Sequence, residues 1–174
     1  MANCALTQDY SFGCDFGAGG VYKDCYLIEL ENVSATPESS GTVTSVTKVT
    51  GKIFRKYQLV KETASFDETI GGNQQNGTIF YDQKGVIIIN KQSVQMRNEI
   101  MLLAKNRLVV IARDNNGLWK LYGREQGLQL LDGSITTGVQ FTDRNGYVLN
   151  FTSKEREPAP FVSEDVIATL QTAT

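Results

Sequence analysis

Apolar and polar positions alternate with a period of two along most of this chain, and that period predicts strands. Over 21–32, Tyr22, Tyr26, Ile28 and Leu30 share one parity while Glu29 and Glu31 take the other, so a half-buried strand is expected. Residues 34–41 are rich in Ser, Thr, Pro and Gly and read as a loop. The long β-branched stretch 42–61 predicts a long hairpin. The polar stretch 65–77 closes on Gly71-Gly72-Asn73-Gln74-Gln75-Asn76-Gly77 and reads as a mobile loop. Strands follow over 78–81 and 85–90, where unbroken Ile87-Ile88-Ile89 implies burial on both faces.

The period then changes. Val94, Arg97, Ile100, Met101, Leu103 and Ala104 recur at three- and four-residue spacing, which predicts an amphipathic helix over 93–105. Ser93 is its expected N-cap, and Asn106 is expected to stop it in a left-handed conformation. Its core face should be Val94, Ile100, Met101, Leu103 and Ala104, leaving Gln95, Asn98, Glu99 and Lys105 outside. Strands are expected again over 108–113, 118–122, 128–131, 136–142 and 147–153. Asp114-Asn115-Asn116-Gly117 and Asp143-Arg144-Asn145-Gly146 both predict tight hairpin turns, since Asx residues cap the backbone and Gly accepts positive φ. Neither has the spaced carboxylates of a calcium loop. Pro158 and Pro160 end the last strand. A short helix is expected from 163 through Leu170, with too few apolar residues to fold unless it docks on its own domain or on a neighbour.

These elements define a mainly β chain: one domain over 1–174, an antiparallel β-sandwich or barrel with one mid-chain α-helix and long loops. Residues 1–20 form an N-terminal arm and 163–174 a C-terminal tail. Composition narrows the chemistry. There is no histidine, which removes Ser–His and Cys–His nucleophiles and mixed Cys/His zinc sites. The net charge of −2 lacks the basic excess of a dedicated nucleic-acid binder. Lys48, Lys52, Arg55, Lys56 and Lys61 read as guards of solvent-facing or edge positions. Cys4, Cys14 and Cys25 fit no metal spacing and read as small buried hydrophobes in a reducing compartment. The glycines of 17–20 lack the Lys-Ser/Thr of a phosphate loop and read as a flexible approach to the first strand. No stretch suggests a secretion signal or a membrane span, so a soluble chain made inside the cell is expected. No catalytic residue, metal or cofactor is expected. The weak enzymatic alternative is a carboxylate pair such as Asp24 with Glu29. A binding module would instead use Trp119, Tyr122 and Tyr147 as stacking platforms for carbohydrate or another surface, although core burial is the expectation for at least two of them.

One further signal lies in the order of features. Tyr57-Gln58-Leu59-Val60, Phe66-Asp67-Glu68-Thr69 and Asn76-Gly77-Thr78-Ile79-Phe80-Tyr81 precede the helix. After it come Leu108-Val109-Val110-Ile111 with its Asp-Asn-Asn-Gly turn, Leu121-Tyr122-Gly123-Arg124-Glu125-Gln126-Gly127-Leu128, Thr137-Gly138 and Asp143-Arg144-Asn145-Gly146-Tyr147. Over roughly the C-terminal three-fifths of the chain, this order resembles the tail tube proteins of tailed phages and related prophage particles. The resemblance implies a structural virion protein, made in the host bacterial cytoplasm, that closes into hexameric rings. The rings stack around a channel through which DNA passes without specific contact. It implies as partners other copies of the chain and other tail proteins, and no membrane. Tail terminators, head–tail connectors and baseplate proteins share the fold and are the alternative. Residues 42–61 and 71–77 are expected to serve assembly, with Lys52, Arg55, Lys56, Gly71, Gly72, Asn73 and Glu99 at the interfaces.

Overall fold

A computed structural model describes residues 6–11, 13, 14 and 16–173. The chain is mainly β, with 47% of residues in strands and 11% in helices. Its elements are β1 (Val21–Glu29), β2 (Val33–Ala35), β3 (Glu38–Ser39), β4 (Thr42–Val43), β5 (Thr47–Lys48), β6 (Arg55–Gln58), β7 (Ala64–Asn73) and β8 (Thr78–Asn90). They continue with α1 (Val94–Leu103), β9 (Arg107–Asp114), β10 (Trp119–Tyr122), β11 (Leu128–Thr136), β12 (Gly146–Glu155), β13 (Phe161–Val162) and α2 (Glu164–Thr169). Eleven strands share one mixed sheet that does not close into a barrel, and β2 pairs with β5 apart from it.

β1 and β9 are antiparallel neighbours at the centre, with Leu27 opposite Val110 and Ile28 opposite Val109. Side chains alternate across a strand, so each feeds two cores. Cys25, Leu27, Leu108, Val110 and Ala112 enter one cluster with Ile87 of β8 and Tyr147, Leu149 and Phe151 of β12. Tyr26, Ile28, Val109 and Ile111 enter the other, against Trp119, Leu121, Val43, Phe54, Val166 and Leu170. The expected half-buried first strand is therefore buried on both faces over Cys25–Ile28. The expected two-sided burial of Ile87-Ile88-Ile89 is complete only at Ile87.

The region 42–61 is not a hairpin. β4 pairs in parallel with β13, β5 pairs with β2, and β6 pairs with β1. Each short piece is recruited by a partner outside the region, with Val43 of β4 in the second cluster and Tyr57 of β6 packed on the first. Lys48 does not guard an edge: it is buried, and its ammonium donates to the carbonyls of Thr169 (2.7 Å), Leu170 (3.2 Å) and Thr172 (2.6 Å). A cation at the carbonyls that end α2 opposes the negative end of its dipole and pins it to its own domain. The short second helix thus docks internally.

Nor is 65–77 a loop. β7 and β8 make one long hairpin, in register from Ala64 opposite Ile87 to Asn73 opposite Thr78, with its turn over 74–77. Gly71 sits within β7 because the Phe80 ring lies over it; a Cβ there would come within 2.6 Å of that ring. β8 runs unbroken where two strands are expected. The expected strand 128–131 runs on to Thr136 as β11, with an irregular register between Leu130 and Asp132, and the expected strand 136–142 is loop beyond Thr136.

The turn at 114–117 forms as predicted. Asp114 Oδ1 accepts from the amides of Asn116 (3.0 Å) and Leu118 (2.7 Å), and Gly117 has φ +92°. The second turn differs. The β11–β12 hairpin closes at Thr136 opposite Gly146, and a wide loop, 137–145, separates them. Gly146 is strand, required because a Cβ would lie 2.1 Å from the Ile89 carbonyl oxygen.

α1 starts as expected, with Ser93 Oγ accepting from the Met96 amide at 3.1 Å. Its buried stripe is Met96, Ile100 and Leu103. Val94, Met101 and Ala104 lie outside, and Val94 is 78% exposed. Asn106 does not adopt positive φ; its side-chain amide caps the helix by donating to the Leu102 carbonyl at 2.9 Å.

Truncation separates the two stripes. Ile100→Ala and Leu103→Ala should each cost about 2–5 kcal/mol in urea unfolding, whereas Val94→Ser should stay within about 0.5 kcal/mol. Equal effects of Val94→Ser and Leu103→Ala would contradict the facing.

Candidate functional site

Three surfaces collect what the core leaves over. The first lies beside β6. β6 pairs with β1 and with no other described strand, so its outer edge is open. Across from it, β8 has no β7 partner beyond Ile87, because β7 begins at Ala64. Between these edges, with α1 along one wall, runs a groove of about 900 Å³ lined by Arg55, Tyr57, Ile89, Met96, Glu99 and Leu102, among others. Tyr57 Oη donates to Glu99 Oε1 at 3.4 Å. Burial, with that carboxylate beside it, holds the phenol well above its usual range. Lys56 also lines the groove, ion-paired with Asp24 at 3.2 Å. That pair's hydrogen bond raises the Lys56 ammonium above its usual range.

The second surface is apolar. Val94, Ile100 and Met101 of α1 face Ile135 of β11 across a groove of about 650 Å³. Ile135 is 64% exposed, and the adjoining loop 137–145 leaves Val139 and Phe141 uncovered. Asp143 holds that loop by accepting from the amides of Val139 and Gln140, each at 2.8 Å, and these bonds lower its carboxyl below the usual range. The third surface is the β7–β8 tip, where Ile70 and Ile79 are exposed near Gly71, Gly72 and Asn73.

The expected interface residues therefore fall in separate places. Arg55, Lys56 and Glu99 share the β6 groove, and Gly71, Gly72 and Asn73 lie on β7. Lys52 is exposed in the turn before β6. The apolar α1–β11 groove escaped sequence reasoning, because periodicity had placed Val94 and Met101 in the core.

The chemical alternatives are not assembled. Asp24 is committed to Lys56, and the Glu29 carboxylate accepts from Asn32 at 2.8 Å. Trp119, Tyr122 and Tyr147 are all buried and offer no stacking platform. Buried Glu155 is structural: its carboxylate accepts from the amides of Glu125 (3.0 Å) and Gln126 (3.1 Å) and from the Ser153 hydroxyl (2.8 Å). Among the described residues no group of three or more His, Cys, Asp or Glu could hold a metal, and no helix is long and apolar enough to cross a membrane. Cys4 falls outside the described residues. Of the other two cysteines, Cys25 is buried as expected but Cys14 is exposed.

No protein-family model, curated protein or solved structure matches the chain.

The two described cysteines should separate by reactivity. Burial pushes the Cys25 thiol up to about 12, with the Asp24 charge adding to it, so its thiolate is scarce at pH 8. In a Cys4→Ser chain, a maleimide at pH 8 should label Cys14 within minutes and Cys25 only after denaturant is added. Rapid native labelling of Cys25 would contradict its place between β6 and β9.

Proposed function

We propose that this chain is the structural subunit of a phage-type tail tube. Copies close into rings, hexameric by the resemblance, and the rings stack around a channel for the genome. In this reading the chain is made in a bacterial host, ends in the virion tail, meets other tail proteins, and has no catalytic, cofactor or membrane role. One observation carries it: the apolar groove between α1 and β11, where Val94, Met101 and Ile135 are exposed together. A monomer that kept such a patch in water would forgo about 25 cal/mol for each Å² left uncovered. The open edges of β6 and β7 support the same reading, since unpaired strand edges are templates for another chain. If DNA passes through the ring, fixed cations in the lumen would grip phosphates, so Lys52, Arg55 and Lys56 belong toward neighbours or outward.

Negative-stain images of the purified protein at rising concentration test this. Rings or tubes are expected, and single rings alone would favour a terminator or connector. Val94→Asp with Ile135→Asp should keep the melting temperature within a few degrees and raise the assembly concentration at least roughly tenfold, a loss of about 1.4 kcal/mol. Deleting 72–76 should likewise leave a folded, soluble chain that assembles poorly. A wild-type chain that stays monomeric at every concentration would refute the proposal.

A further inference from the structure

The segment before β1 carries a pattern that its own domain does not use. In the sequence, Leu6, Tyr10, Phe12, Cys14, Phe16 and Ala18 hold even positions, interrupted by Gln8, and Thr7, Asp9, Ser11, Gly13, Asp15 and Gly17 hold the odd ones. That is the alternation of a strand with one apolar and one polar face. No described residue before Val21 is in a strand, and Leu6, Tyr10 and Phe16 are each at least 90% exposed. Three large apolar side chains on one parity, all in water, define a strand without a sheet.

The β6 groove is a sheet without a strand. It lies between the open edge of β6 and the end of β8 that has no β7 partner, at the seam where the sheet fails to close. Its apolar lining includes Tyr57, Ile89, Met96 and Leu102. Its charged lining is Glu29, Arg55, Lys56, Lys91 and Glu99. Glu29 accepts from Asn32, Glu99 from Tyr57, and Lys56 pairs with Asp24, whereas among the described residues Arg55 and Lys91 are in no ion pair. The arm over 6–20 has two acidic residues, Asp9 and Asp15, and no basic one. The other open edge, β7, carries Asp67 and Glu68 and has no basic residue to meet the arm's carboxylates.

We propose that the arm of one copy adds as a β-strand to the β6 groove of a second copy, its apolar row against Tyr57, Met96 and Leu102 and its carboxylates toward Arg55 and Lys91. The root of the arm directs it away from its own groove. Asn116 brackets Ala18, its Oδ1 accepting from the Ala18 amide at 2.7 Å and its Nδ2 donating to the Ala18 carbonyl at 2.9 Å. Asn115 Nδ2 donates to the Gly19 carbonyl at 2.6 Å. Both belong to the turn after β9, on one side of β1, whereas β6 lies on the other side. Extended, residues 6–16 would reach about 35 Å at ~3.3 Å per residue, comparable to the ~30 Å diameter of a small domain. Main-chain bonds along β6 would supply affinity and the alternate side chains register.

This rests on the assembly reading above but fails separately from it. In the full chain with Cys4→Ser, benzophenone maleimide is placed on exposed Cys14 and irradiated in an equal mixture of ¹⁴N- and ¹⁵N-labelled protein. Mixed-isotope cross-links to β6 or α1 residues lining the groove are expected. Tyr10→Asp with Phe16→Asp should abolish them and weaken assembly at least tenfold, with the melting temperature unchanged. Cross-links confined to one isotope, links only to other surfaces, or normal assembly of the double variant would overturn the inference while leaving the assembly reading intact. A wild-type chain that never associates would overturn both.

Discussion

The structure depends on the burial of β1 and β9 on both faces. A strand pair that places Leu27 and Val110 on one side and Ile28 and Val109 on the other cannot lie at a surface. Two layers must cover it. β8, β12 and α1 supply one, and α2 with β13, Val43 and Phe54 supplies the other. The chain over 42–54 is held by that second layer through Val43, Val46 and Phe54, while β6 packs Tyr57 on the first; none of these short strands has enough length to persist without its partner. Lys48 joins the system by tying the carbonyl end of α2 to the same layer.

Legibility in the sequence follows from how local each cause is. The 114–117 turn and the Ser93 cap were readable because their hydrogen bonds stay within four residues. β7 was hidden because it is a half-exposed edge strand rich in polar residues, and because Gly71 marks an aromatic contact rather than a loop. The fragments of 42–61 were hidden because parallel pairing of β4 with β13 is set more than a hundred residues away. On α1, both stripes satisfy a helical period. Only the position of the helix over β8 and β12 selects Met96, Ile100 and Leu103.

Of the candidate site, the sequence placed Arg55, Lys56 and Glu99 at a surface and the topology brought them to one groove. It offered no hint of the apolar patch at Val94 and Ile135, since exposure of a helix face is a tertiary fact. It did offer the even-position row of the arm, a plain period-two signal that its glycines and small residues obscured. Exposed apolar surface, open strand edges and an unpartnered alternating segment are three separate shortfalls of the isolated domain. In the assembly proposed above, copies of the chain would satisfy all three together.

Hydrogen exchange measured against protein concentration tests that account most directly, because it reads the edge amides themselves. In dilute protein the amides of β1 and β9 should be the slowest, and the β6 amides not bonded to β1 should exchange at nearly the rate of unstructured chain. At concentrations where the chain associates, those β6 amides and the Ile88–Asn90 end of β8 should gain protection together with residues 6–16. If β6 stays equally open, or equally protected, across that whole concentration range, the seam is not where copies of this chain meet.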